Sequence, residues 1–289
     1  MFSSIEIALA DNVVQFYLFV DEAHSIGALG PHGRGVCDYF NIPPRSVDVL
    51  MGTFTKSFGA AGGYISGSKH LIDALRVRGY SGMYAEAMSP PVLTQIISSM
   101  ASIMGVAPPS FPSKAAMTLA PSSSVSTLRS AEDYVHPGMA PASAIPSWIS
   151  LPPTLADGSE ARIRLRRLAF NSRYLHAGLK KLGFITYGHP FSPIVPLMIY
   201  NPGKLAAFAR MMRTRRTPIV VVVVAYPATP LVSSRVRFCV SAAHTKDDID
   251  TILQACDELG DILDLKHGHG KRWPLGQIKK QSVGLVNCI

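Results

Sequence analysis

The chain has 289 residues, 47% hydrophobic and 16% charged, with 23 Gly and 22 Pro. It is long enough to bury a sizeable core and too apolar to be mainly disordered. Four scattered cysteines (Cys37, Cys239, Cys256, Cys288) with no CxxC pair argue against a disulfide framework or structural zinc, and fit a reducing compartment. The formal charge of +9 admits nucleic acid, an anionic membrane surface or an anionic substrate as partner. No run reaches the roughly 18 apolar residues that a spanning helix requires, and Met1–Gln15 lacks the basic-then-apolar order of a secretory signal.

Taken in chain order, Tyr17–Val20 is a continuous apolar run closed by Asp21, which predicts a buried parallel strand delivering an acid at its carboxyl end. Val47–Met51 predicts a second strand, ending in Gly52-Thr53-Phe54-Thr55-Lys56-Ser57, and Gly62–Gly67 a third. Ser68 is placed to cap a helix running to Gly79. Pro90-Pro91 opens another, Val92–Met104, with proline in the tolerated first turn. This alternation predicts an α/β layered domain over 1–104. Residues 105–153 hold nine of the prolines and ten serines, so 105–156 reads as an insertion or surface loop. A linking helix and a small α+β domain follow over 157–289. Its elements are a helix Glu160–Leu182 striped by Leu168, Leu175, Leu179 and Leu182, strands Ile194–Tyr200, Ile219–Ala225 and Arg235–Ser241, and helices Lys204–Met212 and Lys246–Leu263. Gly183 is the stop signal of the linking helix.

Two motifs carry chemistry. Asp21-Glu22-Ala23-His24 spells a nucleic-acid ATPase motif, but that chemistry needs a GxxxxGK[ST] phosphate cradle upstream, and the sequence has none. Further on, Lys56 stands at the end of the second apolar strand between hydroxyls and glycines, an unusual setting for a solvated surface lysine. A partly desolvated amine suits Schiff-base formation with an aldehyde, which pyridoxal phosphate supplies. Asp21 could hold the cofactor's ring nitrogen protonated, His24 could face its phenolic oxygen, and Thr53 could bind its phosphate.

Val20-Asp21-Glu22-Ala23-His24-Ser25 with Gly27 and Gly30 resembles the α-oxoamine synthases, fold-type-I pyridoxal-phosphate transferases that join an amino acid to an acyl-CoA. Gly52–Gly63, Ser89-Pro90-Pro91 and Ser234–Thr245 are similar to the lysine-bearing subunits of the fungal branch that uses L-serine and palmitoyl-CoA. The resemblance covers about Tyr17–Lys266. It implies Lys56 as the cofactor-binding lysine, Asp21 and His24 as cofactor contacts and Thr53 as a phosphate ligand. Arg237 would grip the substrate carboxylate; Arg235 reads as structural, and His244 lies in the family motif with either a site or a helix-start role. No metal is implied. The implied reaction is decarboxylative condensation to 3-ketodihydrosphingosine, CoA and CO₂. The implied partner is a lysine-free paralogous subunit at the cytosolic face of the endoplasmic reticulum membrane, with membrane attachment through that subunit or an N-terminal segment.

Two departures from the family accompany the resemblance. Met1–Phe16 does not resemble the family's long N-terminal region, so an incomplete large domain is expected, with a chain that by itself does not turn over. Glu86-Ala87 replaces a hydroxyl pair that in many relatives reaches the partner's cofactor phosphate. The alternatives are a chain that only binds its partner subunit and, more distantly, the nucleic-acid ATPase. Glu160–Lys181, seven basic residues against one acid, is a solvated helix face or a site for anionic CoA or a membrane surface rather than for nucleic acid.

Overall fold

The computed structural model describes residues 17–106, 139–140 and 142–287. They divide into two compact units, Tyr17–Ile163 and 164–287. The boundary falls within the linking helix, not at its start.

The first unit is built on a three-stranded sheet of order β1-β2-β3, with β1 Phe19–Asp21, β2 Val49–Thr53 and β3 Gly63–Gly67. β1 and β2 are parallel, and β3 is antiparallel to β2. The link 54–62 explains this, being too short for the crossover of a dozen or more residues that a parallel partner needs. β1 is buried on one face only: Val20 is covered, whereas Phe19 is 56% exposed. An all-apolar run predicts cover on both faces; among the described residues β1 has it on one.

Helices α1 Val36–Phe40, α2 Lys69–Arg78, α3 Tyr80–Tyr84, α4 Pro90–Met104 and α5 Pro153–Ala156 complete this unit with the start of α6, Ser159–Leu182. Ser68 caps α2 as the sequence predicts, its side chain accepting the Leu71 amide. α4 takes both prolines into its first turn. The expected insertion 105–156 lies mainly outside the described residues. Its described part pairs Val106 with Ala140 in a parallel bridge and contains a short 3-10 turn at Ala142–Ala144 before α5.

The second unit holds an antiparallel sheet of order β4-β6-β5, with β4 Ile194–Met198, β5 Val222–Val224 and β6 Arg235–Cys239. Helices α7 Pro202–Arg213, α8 Lys246–Ile262, α9 Leu275–Lys280 and α10 Ser282–Asn287 accompany it. Leu168, Leu175, Leu179 and Leu182 are buried as their stripe predicts. Asn171, Ser172, Tyr174, His176 and Ala177 are buried too, so this stretch of α6 is enclosed on more than one face. A Cβ on Gly178 would lie 2.8 Å from Leu253 of α8, so that glycine sets how closely the two helices approach. Gly183, at φ +98°, ends α6 in the left-handed conformation that a glycine stop adopts.

Candidate functional site

Asp21 is level with Met51 in the parallel β1–β2 pair, so Asp21 and the segment beyond Thr53 leave the sheet at the same end. Beyond β1 the Glu22 amide donates to the Met51 carbonyl at 2.6 Å, and the chain then turns, with the Ser25 and Ile26 amides donating to the Glu22 carbonyl. Asp21 Oδ1 accepts the Ala23 amide at 2.8 Å, which fixes the rotamer of an otherwise exposed carboxylate. His24 is also exposed on this turn.

Beyond β2, exposed Lys56 reaches back so that Nζ donates to Thr53 Oγ1 at 3.4 Å, and Thr55 Oγ1 donates to the same oxygen at 3.3 Å. The loop under the lysine is anchored. Phe58 is 1% exposed and meets Phe54 edge-on, while its carbonyl accepts from Ser99 Oγ at 2.9 Å and Gln95 Nε2 at 3.3 Å on α4. The two turns touch: Gly27 has φ +77°, and a Cβ there would lie 2.5 Å from Ser57 Cβ. Only a residue without a side chain allows both the conformation and the approach. Asp21, His24, Thr53 and Lys56 are thus gathered at one end of the parallel pair, where ligands of open α/β sheets bind.

Glu22 was not singled out from the sequence, although strand parity is the signal that finds it. Successive strand residues alternate faces; Phe19 and Asp21 are exposed, while Val20 and Glu22 are buried. Glu22 Oε1 accepts the Val36 amide at 2.9 Å, and the carboxylate also meets the Cys37 amide and the Tyr64 hydroxyl. Burial pushes the Glu22 pKa above its ordinary value, and the two amides oppose that rise. The Tyr64 phenol is pushed up to about 12, first by burial and then by the charge of Glu22.

Arg237 belongs to the second unit. It lies on the central strand β6, paired with Pro196 of β4 and Val222 of β5. Among the described residues its buried Nε meets no hydrogen-bond acceptor. A guanidinium with an unmet N–H suits a carboxylate, which it can bind through two parallel hydrogen bonds. Arg235 shares that strand face. His244 has structural contacts before α8: its Nδ1 accepts the Ser241 amide at 3.1 Å and its carbonyl accepts Asn171 Nδ2 at 2.7 Å. Glu86 is exposed between α3 and α4.

A cavity of about 890 Å³, lined by Tyr17, Arg45, Asp48, His70 and Leu71 among others, lies at the opposite strand ends of the first sheet. It is remote from the acid and lysine motifs, and the chemistry of the latter, not cavity size, locates the site. Among the described residues no three His, Cys, Asp or Glu side chains converge to hold a metal ion, and no helix is long and apolar enough to cross a membrane.

The chain belongs to the aminotransferase class I and II family, whose sequence profile matches residues 7–105 and 132–256. Within that class it is similar to serine palmitoyltransferase 2 of Schizosaccharomyces pombe, at 49% identity over 259 residues covering 90% of this chain and 34% of that protein. Serine palmitoyltransferase 2 of Saccharomyces cerevisiae is 46% identical over 92% of this chain and 40% of its own length. Human serine palmitoyltransferase 3 is 45% identical, with 89% and 37% covered. The chain therefore spans well under half the length of these relatives. Among solved structures, a serine palmitoyltransferase from S. paucimobilis with a bound PLP–myriocin aldimine superposes with TM-score 0.60 at 23% identity, covering 85% of this chain and 48% of that one. The 8-amino-7-oxononanoate synthase of Francisella tularensis superposes with TM-score 0.55 at 18% identity, covering 85% and 55%. The fold is the α/β fold-type-I transferase fold expected from the sequence. None of these matches supports the nucleic-acid ATPase reading of Asp21–His24.

Proposed function

We propose that this chain carries the lysine-bearing, pyridoxal-phosphate-binding part of a serine palmitoyltransferase, which condenses L-serine with palmitoyl-CoA to 3-ketodihydrosphingosine, CoA and CO₂. The observation that carries this reading is the pairing of Asp21 and Lys56 beyond the same end of two parallel strands, with Gly27 bringing their turns into contact. Identity of 45–49% to three serine palmitoyltransferases supports it.

The residues present fit the cofactor. Bound pyridoxal phosphate supplies an electron sink for the bonds at an amino acid's Cα. Lys56 would hold it through Nζ and, once displaced by the substrate amine, would take the Cα proton at that atom. The Asp21 carboxylate, held in place by the Ala23 amide, would keep a ring nitrogen protonated, because an opposite charge nearby favours the charged form of both partners. His24 would face the phenolic oxygen, and the Thr53 hydroxyl would donate to the phosphate. Arg237, with its unmet N–H, would bind the serine carboxylate. As partner the reading takes a lysine-free paralogous subunit, and as location the cytosolic face of the endoplasmic reticulum membrane.

The test is a segment exchange. Residues 17–266 of this chain replace the matching stretch of the S. pombe relative, and product is measured from serine and palmitoyl-CoA in the presence of its partner subunit. The exchanged protein is expected to make product and its Lys56→Ala variant none. Equal activity in the Lys56→Ala variant refutes the assignment.

A further inference from the structure

We infer that Glu22 is a positioning residue: its buried carboxylate, clasped by the first amides of α1 and by the Tyr64 hydroxyl, fixes the Asp21 turn against the strand pair that ends in Lys56. The inference rests on the pyridoxal-phosphate reading of Asp21 and Lys56 for its catalytic meaning, but its geometry is independent of that reading.

Three segments meet at this one carboxylate, and Tyr64 extends the contact to a fourth, β2. Glu22 itself lies between Asp21 and His24 in the chain, so its anchorage sets where their turn begins. Its Oε1 takes the Val36 amide at 2.9 Å, and Cys37 supplies a second amide, so the carboxylate is tied to the start of α1. Tyr64 ties it to β3, where Tyr64 stands opposite Gly52 in the antiparallel register. Gly52 belongs to β2, one residue before Thr53, whose hydroxyl meets Lys56 Nζ. The phenol ring also packs at 5.5 Å from Phe54, which in turn meets Phe58 of the lysine loop.

Two glycines are shaped around the pair. A Cβ on Gly35 would lie 2.4 Å from Glu22 Oε2, and a Cβ on Gly52 would lie 2.5 Å from Tyr64 Cε1. Each member of the acid–phenol pair therefore occupies the space that a side chain would take on a neighbouring segment. A buried carboxylate with no nearby cation is costly unless polar donors satisfy it; the Val36 amide donates at 2.9 Å, and the Cys37 amide and Tyr64 hydroxyl further favour the charged form. No cation partners Glu22 among the ion pairs of the described residues. The rigidity of the site is thus assigned to a buried group beneath the exposed Asp21 and Lys56.

The experiment uses the full 289-residue chain and its Glu22→Ala, Glu22→Gln and Tyr64→Phe variants. Two readouts are taken: backbone amide exchange by peptide, and borohydride-fixed labelling of each lysine by pyridoxal phosphate. Tyr64→Phe keeps the ring and loses only the hydroxyl. It is expected to raise exchange at 49–56 and slow Lys56 labelling by about tenfold, leaving Val36 and Cys37 protected. Glu22→Ala should raise exchange at both 36–40 and 49–56, and Glu22→Gln, which retains one acceptor oxygen, should restore most of the protection at 36–40. If Glu22→Ala does not fold, the other two variants decide the matter. Glu22 acting only as a local cap would leave 49–56 and Lys56 labelling unchanged in Tyr64→Phe, and that result overturns the inference. Failure of the wild-type chain to label at Lys56 would instead strike the cofactor reading, and the exchange pattern would still judge the clasp.

Discussion

Gly35→Ala is the substitution that most sharply tests the packing behind the site. Gly35 has φ +84°, and an added methyl would meet both carboxylate oxygens and the carboxyl carbon of Glu22 at 2.4–2.7 Å. At φ +84° and ψ −152° the backbone lies in a region essentially reserved for glycine, which costs an alanine roughly 1–3 kcal/mol. Displacing the carboxylate also leaves the Val36 and Cys37 amides buried without an acceptor, at about 1–3 kcal/mol. The first unit should lose roughly 2–6 kcal/mol, a fall of about 1–3 M in its urea midpoint. The assay is amide exchange of peptides 36–40 and 49–53 along a urea series, because the two units need not unfold together. The control is Gly276→Ala in α9, where a Cβ meets nothing within 4 Å; it should be neutral or stabilise by up to about 1 kcal/mol. A Gly35→Ala chain with the wild-type midpoint for the first unit would refute the reasoning.

The other predictions concern the second unit. His176 is buried, and its pKa is lowered to about 4 by burial first and then by Lys180 and His189. An unfolded imidazole titrates near 6.5, so the unfolded chain takes up the proton first as pH falls. The stability due to neutral His176 is therefore complete above about pH 6.5 and lost progressively towards pH 4, by up to roughly 3 kcal/mol. His176→Gln should flatten that part of the stability–pH curve; an unchanged slope would count against it. Thr245 and Asp248 form a reciprocal cap at the start of α8, and Thr245→Ala should cost about 1 kcal/mol in thermal unfolding. Tyr174→Phe removes a 2.6 Å hydrogen bond to Asp250, which keeps its 2.7 Å bond to Lys246. A loss of about 1–2 kcal/mol is expected in denaturant unfolding, and no loss would show that bond to be solvent-compensated.

Much of the framework was legible where local chemistry decides it. Ser68 before α2, Pro90-Pro91 in α4 and Gly183 after α6 are signals whose physical cause lies within a few residues, and each marks the observed end. The short helices α1, α3, α9 and α10 were not legible, because five or six residues give no sustained period. Long-range pairing was hidden for a different reason. The contact of Gly27 with Ser57 depends on how distant segments meet, which spacing does not encode, whereas the antiparallel course of β3 follows from the short 54–62 link. Of the site, Asp21, His24, Thr53 and Lys56 could be picked out by residue type and strand-end position, and the fold brings their turns together. Glu22 is marked in the sequence only by the alternation of Phe19, Val20, Asp21 and Glu22, which points it inward between two residues whose chemistry faces out. Arg237 stood out through family likeness alone, and its unmet buried Nε is a structural feature that no sequence pattern reveals.

The central claim, that Asp21 and Lys56 form one pyridoxal-phosphate site, is tested most directly by lysine-resolved labelling. The chain is titrated with pyridoxal phosphate, reduced with borohydride and digested, and the pyridoxyl mark on every lysine is quantified by mass spectrometry. The account predicts that Lys56 is marked at cofactor concentrations well below those needed for any other lysine, and that Asp21→Ala removes that preference. Uniform marking of all the lysines, or a Lys56 preference that survives Asp21→Ala unchanged, would contradict it.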